Sequence, residues 1–397
     1  METMLPQIHY NRRQLNMGKL KDLIESIQDV PSWKDVVTEL KKVDTLLTEI
    51  SRTNSSLSES ALENIGNNAF RVASRYGQSA ADYLSGVQEA YLAGFDNADE
   101  IAELSLAAQN AGGITAELAD QLIYATDQAY RMSGSVSELT KVLDGMNYIS
   151  GQNAFTMADL AEGMAALAPT ASSFGIDAGE TAAALGTMIT ATHQSGSEAA
   201  DALRTVLLHI RQIADETEDI DGEGLAKYEA ACSALNVKLK EIKNGILTLR
   251  DPMKVLPELA AAYNRLSDND PRRTNLLDSV GSSAGEQLDA FLRQWSTYET
   301  LLQQYAHGTG SMAEASEKTV NSWEGSLNRL SNTWASTVGN FTDSDAIAAA
   351  VNSLNSLLSI VNNITGKLGS FANIGLGAGL FLGFKNIGKR RMSIRIS

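Results

Sequence analysis

The side chains able to do chemistry in this chain are scattered. Four histidines, His9, His193, His209 and His307, stand without a His, a Cys or a paired acid at metal-ligand spacing. No metal site is expected from them. His193 lies close to Ser195 and Ser197, a base near two hydroxyls. Serine nucleophiles need a strand-to-helix turn and a third, orienting group, and neither is visible, so the serines read as helix caps. Gly112 with Gly113, and Gly222 with Gly224, lack the spacing, the following Lys and the preceding strand of a phosphate loop, and read as turns. No carboxylate stands in an apolar pattern that marks it as a raised-pKa acid. Cys232, the one cysteine, has no partner for an internal disulfide; with Ala230, Ala231, Ala234 and Leu235 it forms an apolar helical stripe and reads as a buried small hydrophobe. The expectation is a protein with no catalytic residues, no cofactor and no metal, and not an enzyme.

The elements that hold these residues are helices. Apolar residues make up 43% of the 397, yet aromatics supply only 6%, so the core must be built from Ala, Leu, Ile and Val on closely packed helices. Six prolines at separated positions leave long stretches uninterrupted. The formal charge of −16 argues against general nucleic-acid binding, because phosphates need clustered Lys and Arg. Residues 1–14 carry Glu2, Arg12 and Arg13 and no apolar core segment, so no signal peptide is read there and the chain is expected to start in a cytoplasm.

Apolar spacing over Leu20 to Ile50 predicts two amphipathic helices interrupted near Pro31. Beyond Ser58, pairs of a capping residue and an acid three positions on mark helix starts: Ser60 with Glu63, Ser135 with Glu138, Thr156 with Asp159, Asp177 with Glu180, and Ser195 with Glu198. In each pair the first side chain accepts from an orphan amide of the first turn while the acid reaches back. Phe155 before Thr156 is placed to staple onto Leu160, and Gly175 to end a helix in the left-handed conformation. Ser135 to Ile213 is therefore a run of short helices joined by tight turns. Its last member, with Ala199, Ala202, Leu203, Val206, Leu207, Ile210 and Ile213 on one face, is expected to form a hairpin with the preceding helix through Leu185, Met188 and Ile189.

Between Asn236 and Pro257 the period changes to two, with Val237 and Leu239, then Leu247 and Leu249, on either side of Asn244 and Gly245, which predicts a small β-hairpin. The acidic run Asp215 to Glu223 before it reads as a solvated loop. Helix returns from Leu256, with Trp295, Trp323 and Trp334 as anchors. Residues Phe371, Leu376, Leu380, Phe381 and Phe384 lie in an apolar, Gly-rich run followed by Lys385, Lys389, Arg390, Arg391 and Arg395. That run falls short of the about 20 residues that span a bilayer, and it is a candidate membrane-contacting segment, with a simple buried helix as the alternative. The abrupt basic end suggests a piece of a longer chain.

Three stretches carry a resemblance. MSGSVSELTKVLDGMNYIS from Met132, MADLAEGMAALAP from Met157 and ETAAALGTMITATHQSGSEAADALRTVL from Glu180 resemble the core of phage tail tape measure proteins, a family of minor tail proteins. In that family a Glu-Thr-x-Ala-Ala-Leu-Gly helix precedes a Gly-Ser-Glu turn and an Ala-Leu-Arg helix. The corresponding positions here include Glu180, Thr181, Leu185 and Gly186, then Gly196, Ser197 and Glu198, then Ala202, Leu203 and Arg204. GSSAGEQLDAFL from Gly281 and SWEGSLNRLSNTW from Ser322 follow in the family's order, and the likeness covers roughly residues 60–341. It implies a structural tail component that acts in tail assembly and length determination, and in genome ejection through the host membrane. The implied partners are tail tube subunits, tail assembly chaperones and tail-tip proteins, with homo-oligomers and host membrane contact through the C-terminal apolar segment. The implied location is the virion tail, assembled in the host cytoplasm, with insertion in the host membrane during infection.

The organisation expected is mainly α, an array of short helical hairpins with long helices at both ends and one small β-hairpin insertion. Residues 1–58 form an N-terminal helical segment, 59–215 the helical core array, 216–257 the acidic loop and hairpin, 258–342 the helical C-terminal part of the core, and 343–397 the Asn/Ser-rich helix, Gly-rich apolar segment and basic end. The alternative is a secreted helical effector or adaptor, suggested by the Trp-x-Gly turn of Trp323, Glu324 and Gly325.

Overall fold

Helical periodicity and capping chemistry become fifteen helices and one hairpin in the computed structural model, which describes residues 33–214, 223–243, 246–250 and 252–320, with Arg329 and Asn332. In chain order they are α1 (Trp33–Thr53), α2 (Glu59–Tyr76), α3 (Ala80–Leu92), α4 (Ala98–Gly112), α5 (Ala116–Tyr130), α6 (Val136–Gln152), α7 (Met157–Ser173), α8 (Ala178–Thr192), α9 (Gly196–Ala214) and α10 (Glu223–Ala234). Strands β1 (Lys240–Lys243) and β2 (Ile246–Leu249) follow, then α11 (Pro252–Tyr263), α12 (Pro271–Ser279), α13 (Ser282–Arg293), α14 (Trp295–Ala306) and α15 (Ser311–Val320). The mainly helical fold class read from the sequence holds.

The chain divides into two compact units, one of Gly86–Glu317 and one that draws on residues up to Ser85 and from Lys318 onward. In the latter, α1 packs on α2 around Val43, Ile50, Leu62, Ile65 and Ala69, all buried, and Gly66 lets Leu47 come close. The Glu39 carboxylate accepts from the Ala81 amide at 3.1 Å. The first helix expected before Pro31 lies outside the described residues.

The caps fall largely where expected. Ser135, Thr156 and Asp177 are the N-caps of α6, α7 and α8, and at α7 and α8 the acid returns the bond to form a full capping box. At α9 the Ser195 hydroxyl accepts from the Glu198 amide at 3.3 Å, and Glu198 Oε2 accepts from the Ser195 amide at 3.0 Å. One cap is corrected: α2 is capped by Ser58, which accepts from Ala61, while the Ser60 hydroxyl meets that of Ser58. A Ser at either position offers the same oxygen, and Leu57 turning back onto Asn54 starts the helix earlier. Gly175 takes φ +76°, and the Ile176 amide returns to the Ala171 carbonyl, the wrapped C-terminal stop of α7.

The hairpin pairs Lys240 with Leu249 and Lys243 with Ile246; residues 244 and 245 lie outside the described residues. Buried Val237 and Leu239 lead into β1 rather than lying within it. Arg250 ties the hairpin to α11 through two bonds to the Glu258 carboxylate, of 2.9 and 2.6 Å. A second correction concerns α9: its main partner is α7, and its contact with α8 is smaller. The apolar face is as predicted, with Ala199, Ala202, Leu203, Val206 and Leu207 buried. Periodicity names the buried face but not the helix that covers it.

Further along, buried polar side chains join the helices. Arg273 on α12 lies over the Tyr263 ring at 4.5 Å and donates to Asp268 and to the Leu266 carbonyl, while the Tyr263 hydroxyl donates to Asp289. Burial, with Asp289 beside it, pushes the Tyr263 hydroxyl upward and keeps it a neutral donor. In α6 the buried Asp144 caps a helix far away in sequence: Oδ2 accepts from the Gly310 amide at 2.7 Å and Oδ1 from the Met312 amide at 2.9 Å, at the start of α15. The Ser311 hydroxyl donates back to the Asp144 carbonyl at 2.7 Å. An Asp144→Ala change leaves two amides unmet in a dry place and is expected to lower unfolding free energy by about 2 kcal/mol, with Asp144→Asn, which keeps one acceptor, losing about half of that. Urea unfolding followed by circular dichroism measures both; equal stability of all three proteins would refute the account.

Candidate functional site, a helix junction seated on glycines

The stretch from Glu180 to Arg204 comprises almost all of α8, its left-handed stop, and the first half of α9. α8 begins on the Asp177–Glu180 box, with bonds of 2.8 and 2.9 Å. Thr181, buried, donates its hydroxyl to the Asp177 carbonyl at 2.7 Å and so accepts the Tyr130 hydroxyl at 2.8 Å, which fastens α5 to α8. Burial raises the Tyr130 hydroxyl to about 12, so it stays a donor. Leu185 is fully buried and presses on Gly163 of α7, where a Cβ would sit 2.8 Å from its methyl. A Cβ on Gly186 would lie 2.8 Å from the Phe155 ring and 3.0 Å from Leu301 of α14.

The turn then closes. His193 takes φ +56° as the C-cap of α8, its amide bonded to Ile189 at 2.8 Å, and His193 is thereby held in a structural role. Gly196 is buried against α7: a Cβ there would stand 1.7 Å from the Asp159 carbonyl oxygen, far inside van der Waals contact. Only glycine lets the two backbones meet so closely. Ser197 and Glu198 are exposed on the first turn of α9, and Ala202 and Leu203 are buried. Arg204 reaches α7, donating to the Ala166 carbonyl and, at 2.6 Å, to Asp201. Its target is one residue past Ala165, whose carbonyl has lost its helical donor because Pro169 has no N–H.

A second seat holds Tyr305 of α14. Cβ atoms on Gly145 of α6 and Gly179 of α8 would each intrude on its ring, at 2.5 and 2.7 Å, so the ring lies between two bare backbones. Asn153 secures the same helix by donating to Gln304 at 2.8 Å. These partners were not singled out in the sequence. Gly145, Gly163 and Gly179, each inside a helical pattern and costly there, were the available signal.

The cavity between α7, α8, α9, α11 and α13 has a volume of about 30 Å³, lined by Leu167, Ile176, Leu203, Leu207 and Phe291 with Thr181 as its polar member. Space of that size admits a water molecule, not a substrate. Among the described residues no group of three or more His, Cys, Asp or Glu is placed to hold a metal ion. Cys232 is buried, as read, and burial pushes its thiol up to about 12. One expectation fails: Asp120 on α5, not marked out by its sequence neighbours, is a buried carboxyl whose pKa is raised to about 7, chiefly by desolvation. His9, Trp323, Trp334, the Trp-x-Gly turn, the acidic run 215–222 and the apolar segment from Phe371 to Phe384 lie outside the described residues.

The family model described as phage-related minor tail protein matches residues 67–281, a span that includes all of α3 to α12. No curated protein and no solved structure matches the chain.

A methyl group at Gly196 has nowhere to go. Gly196→Ala is expected to destabilise the protein by more than about 3 kcal/mol or to prevent folding, whereas Gly151→Ala, with nothing within 4 Å of the new Cβ, is expected to change stability by less than about 1 kcal/mol, most simply upward. Thermal unfolding of the pair decides; comparable melting temperatures would disprove the close approach.

Proposed function

The chain belongs to the phage-related minor tail protein family, a structural family of the phage tail, and from that premise we propose that it is the helical core of a tail tape measure protein. The observation that carries this reading is that the residues resembling the tape measure core, Glu180 to Gly186, Gly196 to Glu198 and Ala202 to Arg204, lie within the family match. Among them Glu180, Thr181, Glu198 and Arg204 spend their polar groups in caps and interhelical bonds, which suits a protein that works by holding neighbours in place and not by turning over a substrate.

Geometry separates two roles inside that function. The longest described helix, α1 with 21 residues, is only about 32 Å long at 1.5 Å per residue, and the helices that follow fold back on one another. A folded-back array covers little length. The reading therefore assigns this region to anchoring and organising the tail end, and to engagement of tail tube subunits, tail assembly chaperones and tail-tip proteins, while extended portions of such a protein set the length. Genome ejection through the host membrane belongs to the same proposal. No described helix is long and apolar enough to cross a membrane, so that contact rests on the composition of the Phe371 to Phe384 segment.

Co-expression with the tail tube subunit and tail assembly chaperones of the same phage tests the proposal. The chain is expected to co-sediment with assembled tubes and to narrow their length distribution in electron micrographs. Tubes that form with the same lengths in its presence and absence, with the chain left in the supernatant, would sink it.

A further inference from the structure

The β-hairpin is held at its base and open along its sides. Lys240 Nζ donates to Glu229 of α10 at 3.0 Å, and Arg250 is bonded to Glu258 of α11, so the two ties hold the hairpin against the helices on either side of it in sequence. Beyond those ties the main contact of each strand is the other strand, and no third strand pairs with either among the described residues. Ile242, within β1, is 76% exposed, more than any other large apolar side chain among the described residues.

The ladder fixes which main-chain groups face outward. The Arg250 amide bonds to the Leu239 carbonyl at 2.8 Å, and these two residues stand opposite each other one step before the pair Lys240 with Leu249. Bonded and unbonded pairs alternate in an antiparallel ladder, so Glu241 and Lys243 turn their amides and carbonyls toward β2, while Lys240 and Ile242 turn theirs away from it. Outward groups on a strand without a neighbour are a template for another strand.

We infer that β1 is a self-docking edge, which pairs antiparallel with β1 of a second copy of this chain about a two-fold axis at Ile242. Outward groups must meet outward groups, so the axis passes through a residue position and never between two of them. An axis at Glu241 sets that acid against its own copy, and an axis at Lys240 or Lys243 sets two lysines together; each is a like-charge pair. At Ile242 the axis sets Glu241 against Lys243 of the copy, twice, in the unbonded pairs where side chains come closest, and Ile242 against Ile242. The strand is its own charge complement, and the occupant it selects is a second copy. A strand pair of four residues is a small interface, so the association is weak in solution and strengthens where copies are already held side by side.

Charge exchange on the full chain tests the pairing, read by sedimentation velocity over a concentration series that reaches about 1 mM, with circular dichroism to show that each variant is folded. The native chain is expected to dimerise reversibly. Glu241→Lys opposes lysine to lysine and Lys243→Glu opposes acid to acid, so the dimer Kd of each variant alone is expected to rise more than about tenfold. Mixed in equal amounts, the two variants restore both opposite-charge pairs, and dimers are expected to return. A native chain that stays monomeric throughout, single variants that dimerise as the native chain does, or a mixture that fails to recover would each overturn the inference.

Discussion

The approach of one bare backbone to another governs this molecule. With few aromatic side chains, the helices cannot gain their packing energy by interleaving large groups across a wide gap, so they come close enough for main-chain atoms and small side chains to touch. Gly196 against the Asp159 carbonyl is the extreme case, and it sets the position of α9 on α7. Gly163 receives Leu185 on the same helix, Gly186 receives Phe155, and Gly145 with Gly179 receives Tyr305. Each glycine costs helix propensity, and the buried leucine or aromatic ring set over it repays that cost by contact made on the other side.

Close packing leaves little room for water, and the polar groups at these contacts have to find protein partners. They do so over long sequence distances. Asp144 supplies the acceptors for the first turn of α15, Tyr130 completes the hydroxyl of Thr181, and Arg204 donates to a carbonyl beside the Pro169 break. Arg273, Asp268, Asp289 and Arg293 form a comparable set around buried Tyr263. Bonds of this kind choose one arrangement among many similar apolar packings, because a helix displaced by a turn would strand the same groups without partners. His193, Ser195 and Glu198 are spent on a stop and a cap.

Helix starts, the β-hairpin and the buried face of α9 were legible in the sequence because each depends on residues within about four positions of one another. A hydroxyl or carboxylate at Thr156, Asp177 or Ser195 meets the amide three residues on whatever the rest of the chain does. Asn244-Gly245 between two alternating runs allows few outcomes but a hairpin. Ser60 was read as the cap because Glu63 stands three residues on, whereas the actual cap, Ser58, has Ala61 there and leaves no such pair in the sequence. The absence of any metal-ligand or nucleophile spacing, and the likeness of the Glu180 to Arg204 stretch to the tail family, were also available without coordinates.

Tertiary structure alone decided which helix lies on which. The same apolar stripe on α9 fits α7 or α8 equally well by periodicity, and the choice came from Gly196 and Arg204, whose partners lie 37 and 38 residues upstream. Asp144 and its amides are 166 and 168 residues apart, and Asp120 became a buried acid only in the folded chain. Local rules cannot express such facts, since burial and partnership belong to pairs of distant residues and exist only after the backbones have met. The sequence thus determined the helices and the class of protein they build, and the folded chain determined where its glycines let those helices touch.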